Sequence, residues 1–145
     1  EAIRWQLEEF ARRSGIECSA QIDPAPEGVG EESATTLFRV FQELLTNIGR
    51  HADASRVDVR LICYERVLRL IVSDDGRGMP LDAADSPHSL GIVGMKERVR
   101  HLGGTFSVKI GPGPVTGRPW DCSGTTVAVD IPIEGCGESL GGTRC

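Results

Sequence analysis

Arg39, Glu43, Asn47 and His51 recur at four-residue intervals, with Arg50 beside the last of them. On a helix that spacing stacks side chains along one face. A guanidinium, a carboxylate, an amide and an imidazole in one column can present a cation and a phosphate chain to a reacting group. The amide oxygen of Asn47 suits a hard cation such as Mg²⁺, which takes oxygen ligands and keeps several waters. Glu43, one turn earlier, is placed to accept a proton or orient an attacking group, and Arg50 to reach phosphate oxygens. His51 has a plainer alternative as a helix-terminal histidine favoured by the dipole. The whole column has one too, as a solvated helix face.

Two glycine-bearing stretches add to it. Asp74-x-Gly76-x-Gly78 follows a strand-like run, so its first carboxylate faces whatever packs at the strand end. Against an adenine ring it would accept a hydrogen bond from the exocyclic amine, while the glycines let the ring approach backbone. A plain Asp-Asp-Gly surface turn is the competing account. Gly91-Ile92-Val93-Gly94 stands where a third helix begins, and backbone N–H groups at a helix N-terminus bind anions. Neither a P-loop nor a dinucleotide fingerprint is present, because the G-x-x-x-x-G-K-[ST] spacing is missing and no strand precedes the glycines.

Several elements must hold these groups. Ile3, Leu7, Phe10 and Ala11 make one face of a first helix that Gly15 ends. Ile16, Cys18, Ala20 and Ile22 alternate with polar residues, as in a strand with one buried face. Residues 23–30 form a turn-rich loop. Leu37, Val40, Phe41, Leu44, Leu45 and Ile48 give the central helix an apolar stripe, with Ser33 as its expected cap, fraying near Gly49 and an end by Asp53. Residues 57–63 and 67–72 read as a hairpin turning at Glu65. Residues 79–90 lack periodicity and read as a mobile loop. The third helix is expected over 92–102, with Ile92, Met95, Val99 and Leu102 inward, and strands over 105–110 and 125–133. This order predicts a two-layer α/β sandwich, a mixed sheet of about five strands with three helices on one face. The expected domain is 1–133, followed by a disordered tail at 134–145.

The chain has 145 residues, enough for one core, and a composition ordinary for soluble globular proteins. A net charge of −5 without a Lys/Arg-dense run argues against a nucleic-acid surface. No apolar run is long enough to cross a bilayer, and there is no signal-peptide layout. Five cysteines without a C-x-x-C pair fit neither a zinc site nor a disulfide framework. Cys18 and Cys63 are expected to be buried thiols of a reduced, cytoplasmic protein. Because residue 1 is Glu rather than Met, a fragment of a longer parent is expected, one that could itself be membrane-anchored.

Taken together, QELLTNIGRHA, DDGRGMP, SLGIVGMKERVRHLGG and SGTTVAVDIP resemble the N, G1 and G2 boxes and closing strand of the GHKL ATPase superfamily. More closely, they resemble the catalytic ATP-binding domain of bacterial sensor histidine kinases of the nitrate-sensor-like subfamily. The similarity runs over about 37–132. It implies that Asn47 holds Mg²⁺ on the triphosphate and that Glu43 assists the accepting imidazole, with Arg50 and His51 near the phosphates. It further implies that Asp74 fixes adenine with Gly76 and Gly78, that Gly91 and Gly94 shape the lid, and that Thr125 supports the base through its hydroxyl. Two departures stand out. Ser89 replaces one glycine of the usual G2 pair, and the excursion at 111–123 is long for the family.

The implied activity is transfer of the ATP γ-phosphoryl group to a histidine on a separate dimerisation domain, then to a response regulator, with helix-turn-helix output expected. No nucleic acid or direct membrane contact is expected of this domain. None of His51, His88 and His101 is placed as an acceptor, so efficient self-phosphorylation is not expected. Two rivals remain: an anti-sigma-type protein serine kinase, and a non-catalytic nucleotide-binding module.

Overall fold

A computed structural model of the chain describes residues 1–24, 28–76, 89–110 and 124–133, with backbone alone at 51, 52, 89–92 and 110. Helix α1 is Ala2–Ser14 and strand β1 is Glu17–Ile22. Helix α2, Glu31–Asn47, continues into a π-wound turn, Ile48–Ala52. Strands β2, Arg56–Tyr64, and β3, Val67–Asp74, form a hairpin whose link contains Glu65 at φ 52°. Helix α3 is Ser89–His101, and strands β4 and β5 are Thr105–Ile110 and Thr125–Pro132.

The sheet order is β1-β2-β3-β5-β4, with β1 and β2 parallel and every other pair antiparallel. The parallel pair brackets α2, because parallel neighbours need a crossover between them. α1 packs on α2 and α2 on α3, and the helices reach the sheet at β1, β3, β4 and β5. The two-layer mixed α/β sandwich expected from the sequence is therefore the fold observed.

Alternation along the strands separates two faces. Val57, Val59 and Leu61 of β2, Leu68, Leu70 and Val72 of β3, and Val127, Val129 and Ile131 of β5 are buried beneath the helices. From above, α1 contributes Leu7, α2 contributes Leu37, Val40, Phe41, Leu44 and Leu45, and α3 contributes Met95 and Val99. Phe41 is fully buried, and apolar burial of this kind is the main stabilising term. The opposite face carries polar pairs: Ser73 and Thr126 hydroxyls at 2.9 Å, and a bidentate Arg69–Asp130 pair with both contacts at 2.6 Å.

Four local expectations need correction. Ser33 does not cap α2; Gly30 is the N-cap, no side chain caps the helix, and Glu31 and Glu32 occupy the dipole-favoured first turn. The frayed end after Asn47 is instead a regular π turn. Cys18 and Cys63 are half-buried rather than buried; partial burial still pushes the Cys18 thiol up to about 11, which keeps it protonated and inert. Finally, α3 begins at Ser89, three residues before the expected start. The expected loop at 79–90 and excursion at 111–123 fall almost wholly outside the described residues, as does the tail at 134–145.

α1 also meets the π turn. A Cβ on Gly49 would lie 3.2 Å from the Phe10 ring, so the bare glycine lets the first helix seat against the end of the second.

Candidate functional site

Asp74 is the last residue of β3, and the register places it between Val57 of β2 and Thr125 of β5. It shares the helix-facing side with Val72 and Leu70, two and four residues back. Asp74 is 4% exposed, and its Oδ1 accepts the Gly76 N–H at 2.9 Å. Burial, the largest influence, pushes the Asp74 carboxyl up to about 6. The neighbouring Asp75 charge pushes the same way, while the Gly76 and Thr125 backbone N–H groups oppose it. At neutral pH the group is thus an ionised, desolvated carboxylate with no cationic partner among the described residues. A ligand's N–H groups would relieve that cost.

Two residues that sequence reasoning passed over complete this strand end. Gly124 has φ 111°, and a Cβ there would lie 2.5 Å from the Asp74 carbonyl oxygen. Only glycine lets β5 enter beside Asp74; the available signal was the Gly immediately before the Thr-Thr of the last strand. Asp75, taken in the sequence only as the middle of a turn, is anchored to β2. Its Oδ1 accepts the backbone N–H groups of Ser55 and Arg56, each at 2.8 Å, and its Oδ2 accepts the Ser55 hydroxyl at 2.7 Å.

On the helix side, α2 packs against β3. Glu43 is exposed and Asn47 half-exposed, one turn apart. Neither side chain has a hydrogen-bond partner among the described residues, so both are available to a ligand. Beyond Asn47 the backbone is π-wound over Ile48–Ala52, the turn that carries Arg50 and His51. Arg50 is exposed there; of the His51 side chain nothing is described. A single amide is a sparse metal site. Among the described residues no cluster of three His, Cys, Asp or Glu exists, so a cation at Asn47 would complete its shell from water and ligand oxygens. That donor set fits Mg²⁺, which behaves in this way.

Gly91 and Gly94, expected where the third helix begins, stand third and sixth within α3. Gly91 remains in the first turn, where N–H groups are unsatisfied within the helix; Gly94 does not. Nothing lies within 4 Å of a Cβ at Gly94, so close helix packing does not account for it. Gly78 lies outside the described residues. Two open grooves among the described residues run between the N-terminal half of α2 and the C-terminal half of α3, lined by Glu32, Thr36 and Arg98 among others. They lie at the other end of α2 from Asn47, and of the polar column they include Arg39 alone.

Comparison with known proteins decides the family. Residues 32–135 match the model of the histidine kinase-, DNA gyrase B- and HSP90-like ATPase family. The chain belongs to this family. It is 35% identical over 134 residues to the signal transduction histidine-protein kinase/phosphatase UhpB of Salmonella typhimurium, covering 91% of this chain and 24% of that protein. It is also 35% identical over 133 residues to the sensor histidine kinase LiaS of Bacillus subtilis, covering 92% and 34% respectively. The chain thus spans about a quarter to a third of these relatives. Among solved structures, the histidine kinase domain of the blue-light activated histidine kinase of Erythrobacter litoralis EL346 superposes with a TM-score of 0.70 at 28% identity, covering 91% of this chain and 61% of that one. The resemblance drawn from the four sequence motifs is therefore that of a true family member.

Proposed function

We propose that this chain is the ATP-binding catalytic domain of a two-component sensor kinase and transfers the γ-phosphoryl group of Mg-ATP to a histidine on a separate helical dimerisation domain. The observation that carries the reading is the buried carboxylate of Asp74, without a cationic partner among the described residues and framed by the Gly76 and Thr125 backbone, beneath the helix that carries Glu43 and Asn47. Asp74 accepts the adenine amine's hydrogen bond, and Gly76 and Gly78 let the ring lie against the turn. Thr125 supports the base through its hydroxyl. Asn47 holds Mg²⁺, whose contribution is to neutralise phosphate charge. Arg50 and His51 serve the phosphates, and Gly91 and Gly94 shape the approach of α3. Glu43 accepts a hydrogen bond from the incoming imidazole and orients its free nitrogen. That nitrogen forms the new P–N bond as the bond to the β,γ-bridging oxygen breaks and ADP leaves. Positioning and charge neutralisation supply most of the rate in such transfers, consistent with so few candidate groups.

The phosphoryl group then passes to an aspartate of a response regulator, and the domain works on the cytoplasmic side. Among the described residues no helix is long and apolar enough to cross a membrane. The test supplies the chain with radiolabelled ATP, Mg²⁺ and a histidine-bearing dimerisation domain. Acid-labile label on the acceptor, abolished in Asn47→Ala, is the expected result. Acid-stable label would indicate a serine kinase, and no transfer at saturating ATP would indicate a binding module.

A further inference from the structure

We propose that Asp75 is a positioning residue of the nucleotide site, holding the exit of β3 against the start of β2 so that Asp74 and the Gly76 N–H meet the base in one fixed register. The inference rests on the reading of Asp74 as the adenine anchor. The β2–β3 ladder ends at the Val57–Asp74 pair. Past that point the Asp75 N–H still donates to the Arg56 carbonyl at 3.2 Å, but the strand is turning away. The Asp75 side chain takes over from the ladder. One oxygen collects the Ser55 and Arg56 N–H groups and the other the Ser55 hydroxyl, all at 2.7–2.8 Å.

The anchor reaches further than one strand. The Ser55 carbonyl accepts the Glu17 N–H at 3.1 Å, which ties β1 to the same point. Two residues upstream of Ser55, Asp53 adopts φ 53° directly after the π turn that carries Arg50 and His51. One carboxylate thus joins the adenine-side turn to the segment leaving the phosphate-side helix.

Asparagine separates this role from mere stapling. Its Oδ1 can accept both backbone N–H groups and its Nδ2 can donate to the Ser55 hydroxyl, so the geometry survives while the charge goes. The Asp75 charge also pushes the Asp74 carboxyl up, so its removal must let Asp74 ionise at lower pH.

The test titrates the 145-residue chain with ADP and MgCl₂ by calorimetry, each variant being checked for fold by circular dichroism at the titration temperature. Asp75→Ala is expected to bind about tenfold more weakly and Ser55→Ala about threefold, the scale of one lost charge-assisted hydrogen bond and of part of one. Asp75→Asn is expected to bind like the parent at pH 8, with the midpoint of its pH dependence moved below the parent's. A folded Asp75→Ala that binds like the parent, while Asp74→Ala does not, overturns the proposal alone. If Asp75→Ala fails to fold, parental affinity in Ser55→Ala together with an unmoved midpoint in Asp75→Asn overturns it. Parental binding by Asp74→Ala would instead remove the adenine-anchor reading on which it stands.

Discussion

Two aspartates of adjacent strands are almost equally buried, and the sheet treats them in opposite ways. Asp58, 1% exposed on the face away from the helices, accepts the Ser19 hydroxyl and two Arg56 hydrogen bonds at 3.3 and 3.4 Å through Oδ1. Arg56 Nε also stands 3.3 Å from Oδ2, an ion pair without hydrogen-bond alignment. Asp74, 4% exposed on the helix side, receives two backbone N–H groups and the repulsion of Asp75. Burying a charge is costly unless it is paired. Asp58 is paired within the fold; Asp74 leaves part of its cost standing, and a perturbed, uncompensated group marks a binding site more sharply than burial alone.

The largest effect should come from breaking the uncompensated member. Asp74→Ala is expected to weaken ADP binding about 10- to 150-fold, the range for a hydrogen bond to a charged group, as read by calorimetry. Asp58→Ala should do the reverse, lowering stability by about 2 kcal/mol in chemical denaturation while nucleotide affinity stays within about twofold.

Asp74→Asn sharpens the contrast. The raised carboxyl, about 6 against an ordinary 3.8, costs the parent fold at neutral pH, so this substitution should stabilise it there by about 1–2 kcal/mol even as it weakens ADP binding. The sign follows from linkage. The folded value lies above the unfolded one, so this group's contribution is fully present below pH 3.8 and is lost as pH rises through about 6. Denaturation midpoints of the parent and the Asp74→Asn variant should therefore converge on acidification. The smallest effect belongs to the polar face. The Arg69–Asp130 pair is about a third exposed on its Arg side, and Arg69→Lys, which loses the bidentate geometry, should cost roughly 0.5–1 kcal/mol with no change in binding.

Much of this was legible in the chain itself. The 3.6-residue stripe of α2 and the alternation of β2 and β3 each depend on one apolar face, which periodicity reports directly. The four motifs singled out Asp74, Asn47 and Thr125, of which Asp74 and Thr125 pair across β3 and β5. What stayed hidden depends on pairing and winding. A π turn closes its hydrogen bonds one residue later than an α-helix and leaves no compositional mark, so the winding of the segment that carries Arg50 and His51 could not be read from the chain. Gly91 and Gly94 are poor helix formers, which masked three helical residues before Ile92; the burial of Met95 and Val99 outweighs that preference. Asp75 resembled any turn aspartate, because its three acceptor bonds run to residues about twenty positions earlier.

The row Val57–Asp74–Thr125 has a thermodynamic corollary. Its members come from three strands separated by 17 and 51 positions, so no fragment of the sheet can present the edge proposed to bind the base before the middle strand has found both neighbours. Whatever molecule grips that edge recognises the assembled sheet alone and must raise the apparent melting temperature. At about a hundredfold excess over its dissociation constant the gain is about 2.7 kcal/mol, so a thermal shift with adenine nucleotides would report how completely the three strands have come together.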